Sequence, residues 1–439
     1  MKKIPILALL LLFVVVGCSI EENANLPPQV GTDACTIDGQ KQYVLDKMRD
    51  VYFWNDLLPV TVDLATYPTP EALLDFLISF QPIDRFSYID LAAADAQFFG
   101  EGQYEGYGFS SRFEAADDLR FTRVFASSPA NAAGFGRGQR ILMLNGRTIA
   151  DIQANEGVGS LFSLPTLEFT IRRLDDSEFT LPINQGLVTI DPVPQFRVID
   201  RADGTSVGYI ELVTFIRTAE SAFDNVFREF QRAGVTDVIL DLRYNGGGLV
   251  STTELLGDYL GGAVANGLVF SRTLFNDNNA ASNRTSLIQG FAESLNLSRL
   301  VVIATNRTAS ASELITNSME SHVEVSIVGS TTLGKPVGQL GLEFCDKILR
   351  PTAFESVNAD NVGRYYDGLP ADCAAVDDIS IPVGDDTDDN MTTALSLLEN
   401  GVCPPQVLNV PAPQKPLAEI DARRFDRGGP AWRELTGAW

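Results

Sequence analysis

The chain has 439 residues, too many for one ordinary domain, so two or three are expected. Its 45 % hydrophobic content, with 26 phenylalanines, provides for large cores and excludes a disordered polymer. A net charge of −24 argues against nucleic acid or an anionic lipid surface as a partner and serves solubility.

Lys2 and Lys3 precede an apolar run over residues 4–16, the pattern of a signal peptide and too short to span a membrane. The run ends Val15-Val16-Gly17-Cys18, which looks like a bacterial lipobox. That reading predicts removal of residues 1–17, a lipid on Cys18 and a tether over 18–37. Ser19 is not the aspartate that retains many lipoproteins at the inner membrane, so an outer-membrane anchor is expected, facing the periplasm or the outside. Beyond Cys18 stand Cys35, Cys345, Cys373 and Cys403, an even number in an exported chain. They suggest two disulfides, with three connectivities open. We expect Cys345–Cys373, closing one loop, and Cys35–Cys403, tying the ends. With a single histidine and no Cys-x-x-Cys, no metal site and no cofactor is expected.

Tyr43, Val44, Met48, Val51 and Tyr52 recur at helical spacing, and Thr69-Pro70-Glu71 opens a second helix with Leu73, Leu74, Leu77 and Phe80. Residues 38–95 therefore read as a small helical region, which includes Asp84-Arg85-Phe86-Ser87-Tyr88. A different texture begins at Gly106-Tyr107-Gly108-Phe109. An apolar strand over 121–125 follows, then Ser128-Pro129-Ala130, Ala133-Gly134, an Ile141-Leu142-Met143-Leu144-Asn145-Gly146 strand and turn, and another strand over 167–172. This order resembles a PDZ domain over 96–186. The resemblance makes Gly106, Tyr107, Gly108 and Phe109 the loop whose amides hold a chain-terminal carboxylate while the peptide adds a strand. Gln139 departs from the aspartate usual before the strand that begins near Ile141, which touches a turn and not the pocket.

Strands over 207–215 and 235–240 flank an amphipathic helix with Phe223, Val226, Phe227 and Phe230. The second strand runs into Asp241-Leu242-Arg243-Tyr244-Asn245-Gly246-Gly247-Gly248, whose glycines admit a close substrate. No Gly-Lys-Ser/Thr follows, so a phosphate loop is excluded. A buried strand over 300–304 then leads to Ser310-Ala311-Ser312-Glu313, and a strand over 323–328 delivers Gly334-Lys335-Pro336. Ser310 to Glu313 spells a helix capping box. Ser310 can equally be a nucleophile, since a helix N-terminus also offers amides to an oxyanion. His322 is the usual type of base but stands at a strand edge. A lysine serves instead when burial disfavours its ammonium, and Lys335 has no carboxylate near it in sequence since Glu324.

Together these motifs resemble the carboxyl-terminal processing proteases, the tail-specific Ser/Lys peptidases of family S41, over residues 40–400. The resemblance implies Ser310 as nucleophile with Ser312 as runner-up, Lys335 as base 25 positions on, and Gln339 four further as its orienting group. It makes Gly247 and Ala311 N–H the oxyanion donors, and Asp241 and Arg243 braces of the turn. Ser321 stands where some members carry an aspartate, so no acid is expected there. Asp84 to Tyr88 resembles the family's N-terminal D-x-x-S-x-Y segment. The fold implied is α/β, a crotonase- or ClpP-like layered core over 187–404 with the PDZ-like β domain inserted and the helical region in front. The acidic 384–389 loop lacks EF-hand spacing and reads as a solvated face. A short helix over 392–398 precedes a Pro-rich tail over 405–439. The expected partners are proteins or peptides with exposed C-termini. The rival reading is a catalytically silent lipoprotein that binds peptide termini.

Overall fold

The structure, a computed structural model, describes residues 32–405. The leader, Cys18 with the tether as far as residue 31, and the tail from residue 406 lie outside the described residues. At the centre is a six-stranded sheet, in spatial order Gln195–Asp200, Ser206–Glu211, Asp237–Asp241, Arg299–Ala304, Glu324–Gly329 and Cys373–Ala374. The first pair is antiparallel and every later pair parallel. Parallel neighbours need crossovers, so both faces are covered and the strands read as unbroken apolar runs.

Alternation along each strand decides which layer it feeds. Ile210, Val238, Leu240, Leu300 and Val302 share a core with Phe223, Phe227 and Phe230 of helix Arg217–Arg232, Leu256 and Leu260 of Val250–Gly261, and Ile315 and Met319 of Ala311–Met319. The intervening Val207, Tyr209, Ile239, Val301 and Ile303 meet Met391, Ala394 and Leu398 of helix Asp389–Asn400. The layered α/β core is thus formed as expected.

Residues 109–184 form a separate antiparallel sheet, in order Phe109–Ala115, Asp118–Val124, Arg140–Leu144, Thr166–Arg172 and Glu178–Asn184, around its own aromatic core of Phe109, Phe121, Phe135 and Phe169. In front, helices Ile37–Val51 and Pro70–Ile78 pack through Val44, Met48, Leu73 and Leu77. Thr69 Oγ1 caps the second helix by accepting from Ala72 N–H at 3.1 Å, with Pro70 in the first turn. Strand Tyr88–Leu91 leaves this helical layer and pairs with Lys347–Arg350, which is in turn paired with Leu342–Phe344.

That hairpin overturns the expected disulfides. Its turn residue Cys345, at φ 54°, is carried onto the start of the first helix and bonds Cys35, while Tyr43 stacks on Phe344 at 4.9 Å. Cys373, on the last core strand, bonds Cys403 just after the helix that packs on that strand. Cys345–Cys373 and Cys35–Cys403 fail because the hairpin takes residue 345 away from the core and toward the N-terminal helices. Peptide mapping without reduction is expected to return Cys35–Cys345 and Cys373–Cys403. The Cys35→Ser/Cys345→Ser chain should lose about 2–5 kcal/mol of stability, read from its urea midpoint.

Candidate active site

Ser310 lies between strand Arg299–Ala304 and helix Ala311–Met319, with φ at 55°. A non-glycine residue there is strained, and such turns occur where a side chain must be presented. Of the capping box, the half that forms a full hydrogen bond is Ser310 N–H to Glu313 Oε2, at 2.8 Å. The helix is thereby capped through the serine's backbone. Ser312 is not a rival nucleophile: it is fully buried, and its hydroxyl donates to Asn245 O at 3.0 Å.

The same Glu313 carboxylate accepts from Gly334 N–H at 2.7 Å, Lys335 N–H at 2.8 Å and Thr332 Oγ1 at 2.5 Å. Burial pushes this carboxyl upward from its ordinary range, and the hydrogen bonds oppose that push. One side chain therefore fastens the segments of Ser310 and Lys335 together. In the sequence Glu313 shows only as a capping partner. Its contacts with 332–335 depend on the later strand returning, which no local pattern shows.

Lys335 is buried, and its Nζ donates to Gln339 Oε1 at 3.1 Å. Gln339 is held from behind, because its Nε2 donates to Phe86 O at 2.6 Å and to Arg350 O at 3.1 Å. Two carbonyl acceptors fix the amide so that its oxygen faces the lysine. The Phe86 ring lies 5.1 Å from Nζ. Phe86 is itself set by Asp84, whose Oδ1 accepts from Phe86 N–H at 3.0 Å and Thr352 Oγ1 at 3.0 Å, and whose Oδ2 accepts from Ser87 Oγ at 2.6 Å. The Asp84-Arg85-Phe86-Ser87 segment is thus a buried knot behind the lysine, a role not read from sequence.

Ser310, Lys335, Gln339 and Gly247 line one cavity of about 270 Å³, with Tyr88, Phe99 and Phe354 among its other walls. Among the described residues no hydrogen bond joins the Ser310 hydroxyl to the Lys335 amine. Gly247, at φ 108°, packs so closely that an added Cβ would lie 2.8 Å from Ser310 Cβ and 2.9 Å from Ala311 N. Its N–H, however, donates to Asn245 Oδ1 at 2.9 Å. Of the two amides expected as oxyanion donors, Ala311 N–H has no acceptor among the described residues, and Gly247 N–H is turned to Asn245. Fully buried Asn245 also donates through Nδ2 to Leu212 O at 2.8 Å and accepts Ala309 N–H at 3.0 Å, joining the glycine turn to the serine turn. His322 is remote from this chemistry, with Nε2 on Val269 O at 2.8 Å.

Asp241 and Arg243 brace the turn. Arg243 Nη2 meets Asp241 Oδ2 at 2.6 Å, and its Nη1 meets Asp388 Oδ2 at 2.6 Å. The next residue, Tyr244, has φ 63°, and its hydroxyl bonds Asp377. Arg112 and Arg137, from the 109–184 sheet unit, also pair with Asp377, the latter at 2.8 Å. Burial pushes the Asp377 carboxyl up, but the guanidiniums of Arg112, Arg137 and Arg243 outweigh it and hold the group at about 2. In the glycine loop expected to hold a carboxylate, Gly106 pairs with Gly186, Tyr107 O accepts Ala130 N–H at 2.9 Å, and Gly108 O accepts Phe125 N–H at 2.9 Å. Phe109 is buried in the unit's core. None of these four residues lines the cavity that holds Ser310 and Lys335.

A family model described as peptidase family S41 matches residues 206–365, and one for the peptidase S41 N-terminal domain matches 39–88. Residues 206–365 thus form a peptidase family S41 domain, with that family's N-terminal domain in front of it. A carboxyl-terminal-processing protease of Picosynechococcus is 25 % identical over 254 residues, 56 % of this chain and 58 % of that protein. Carboxyl-terminal-processing peptidase 3 of Arabidopsis thaliana chloroplasts is 25 % identical over 324 residues, 69 % of this chain and 59 % of its own. The S41 chain thus spans under two thirds of the length of these curated relatives. In fold it matches a Bacteroides fragilis protein solved as an S41 protease, with a TM-score of 0.65 at 24 % identity over 81 % of this chain and 97 % of that one. It also matches a photosystem II D1 C-terminal processing protease, with a TM-score of 0.51 at 20 % identity over 77 % and 92 %.

Two outcomes follow for this S41 chain. Glu313→Ala strands three amides and a hydroxyl in a buried place, and should cost about 3 kcal/mol or more, measured by chemical denaturation. Asp377 has a folded pKa below the roughly 3.9 of an unfolded aspartate. Its contribution is therefore complete above about pH 4 and lost as pH falls toward 2. The stability difference between the parent and Asp377→Asn, read from urea midpoints, should shrink across that window.

Proposed function

We propose that this chain is a serine endopeptidase whose nucleophile is Ser310 and whose general base is Lys335. The observation that carries the reading is the shared cavity: a strained serine at a helix start and a buried lysine oriented by Gln339, their backbones fastened to one carboxylate. The Lys335 amine takes the Ser310 proton as Oγ attacks a peptide carbonyl. The tetrahedral oxyanion is met by Ala311 N–H, and by Gly247 N–H once that amide leaves Asn245. Lys335 then hands the proton to the departing amine, and water frees the acyl group from Ser310.

By resemblance to processing proteases, the substrates are proteins with exposed C-termini in the bacterial envelope. The 109–184 unit is the PDZ-like receptor for such tails. The lipid on Cys18 holds the enzyme at the outer membrane. The Gly247-to-Asn245 bond and the separate Ser310 and Lys335 side chains favour a resting state that substrate must convert. The same two features favour the second reading, a silent terminus-binding lipoprotein. Incubating the full chain with casein separates them. Release of peptides should fall by at least about a thousandfold in Ser310→Ala and in Lys335→Ala. Equal and negligible release by all three proteins would leave the binding reading standing.

A further inference from the structure

Arg350 lines the cavity that holds Ser310 and Lys335, and no role in the chemistry above accounts for it. Its guanidinium is fixed on two sides. One edge is paired with Asp95, Nε to Oδ1 at 3.0 Å and Nη2 to Oδ2, and the Phe99 ring lies 5.0 Å from its central carbon. Asp95 and Phe99 both come from a short helix, Ala92–Ala96, that runs into a π-helical turn, Gln97–Glu101. The turn buries Phe98 and leaves Phe99 against the arginine. Such turns inside helices recur at functional sites.

Bidentate pairing with Asp95 leaves Nη1 without a partner among the described residues. A guanidinium keeps its charge, and its planar fork suits a carboxylate. The setting sharpens this point. The protein carries 57 acidic and 33 basic side chains, yet no carboxylate lines this cavity, whose lysine and arginine are Lys335 and Arg350. A guanidinium held stiff by Asp95 from behind, beside a nucleophile and with no carboxylate in the cavity wall, is organised before its ligand arrives, which reduces the cost of binding.

We propose that Arg350 is a carboxylate-binding subsite of the catalytic cavity, reading an anionic group of the bound peptide close to the scissile bond. The proposal rests on the peptidase reading for its purpose but not for its test. The carboxylate comes either from the chain terminus or from an Asp or Glu side chain. Binding is measured on the full-length Ser310→Ala protein, with fluorescent peptides in two matched pairs: free C-terminal acid against amide, and internal Glu against Gln. At least one acidic member should bind about tenfold tighter than its neutral twin, and the pair that discriminates identifies the source. Adding Arg350→Met should bring that ratio to within about twofold of one. Because Arg350→Met leaves Asp95 unpaired, the charge-neutral Asp95→Asn/Arg350→Met protein is run beside it and should lose the same ratio. No discrimination in Ser310→Ala, or a ratio that survives both arginine variants, overturns the subsite. Failure of the casein assay, by contrast, removes the peptidase reading and leaves this binding result intact.

Discussion

Glu313 is where the two motifs of the site become one object. Its carboxylate gathers Ser310 N–H from before a helix and Gly334 and Lys335 N–H from beyond the following strand. Hydrogen bonds to a charged acceptor contribute about 1.5–3 kcal/mol each, and here several converge in a buried place. Serine at φ 55° is a conformation the chain would leave if it could. The carboxylate holds its amide, the glycine turn packs on its Cβ, and Asn245 fixes the residue before it. Strain at the presented serine is thus maintained from two sides, by the Glu313 carboxylate and by the 245–247 turn.

The appended units also reach the centre. The N-terminal segment ends in the Asp84 knot, which sets both the carbonyl that holds Gln339 and the ring beside the Lys335 amine. The 109–184 sheet reaches the other side through Arg112 and Arg137, which meet Asp377 beside Tyr244, three residues before Gly247. Lysine and glycine turn are therefore each supported by a part of the chain outside the parallel sheet. A shift of the sheet unit would be felt first at Tyr244, already in a left-handed conformation.

Much of this could be read in advance, because the signals were local. Apolar runs at 207, 235, 300 and 323 are buried on both faces and declare a parallel sheet. Ser310 and Lys335 flank one helix and one strand, so their short fixed spacing carries them to a common cavity. What stayed hidden depends on long returns of the chain. The 342–350 hairpin folds back onto Tyr88–Leu91, and with it go the true partner of Cys345, the carbonyl that holds Gln339 and the placing of Arg350. Hydrophobic periodicity says nothing about which distant edge a short hairpin will choose. Nor could spacing reveal that the Gly247 amide turns to its neighbour Asn245, since that is settled by one side-chain rotamer.

The bond between Cys35 and Cys345 spans 310 positions of sequence. The helical layer, the inserted sheet and the serine itself all lie within that covalent ring. A single peptide-bond cut in any surface loop inside it opens the ring without releasing a fragment. The two pieces of the nicked molecule stay joined until a reductant separates them. In an oxidising compartment the closure thus works as a tether, so the chain can survive damage that would dismember an unbridged one.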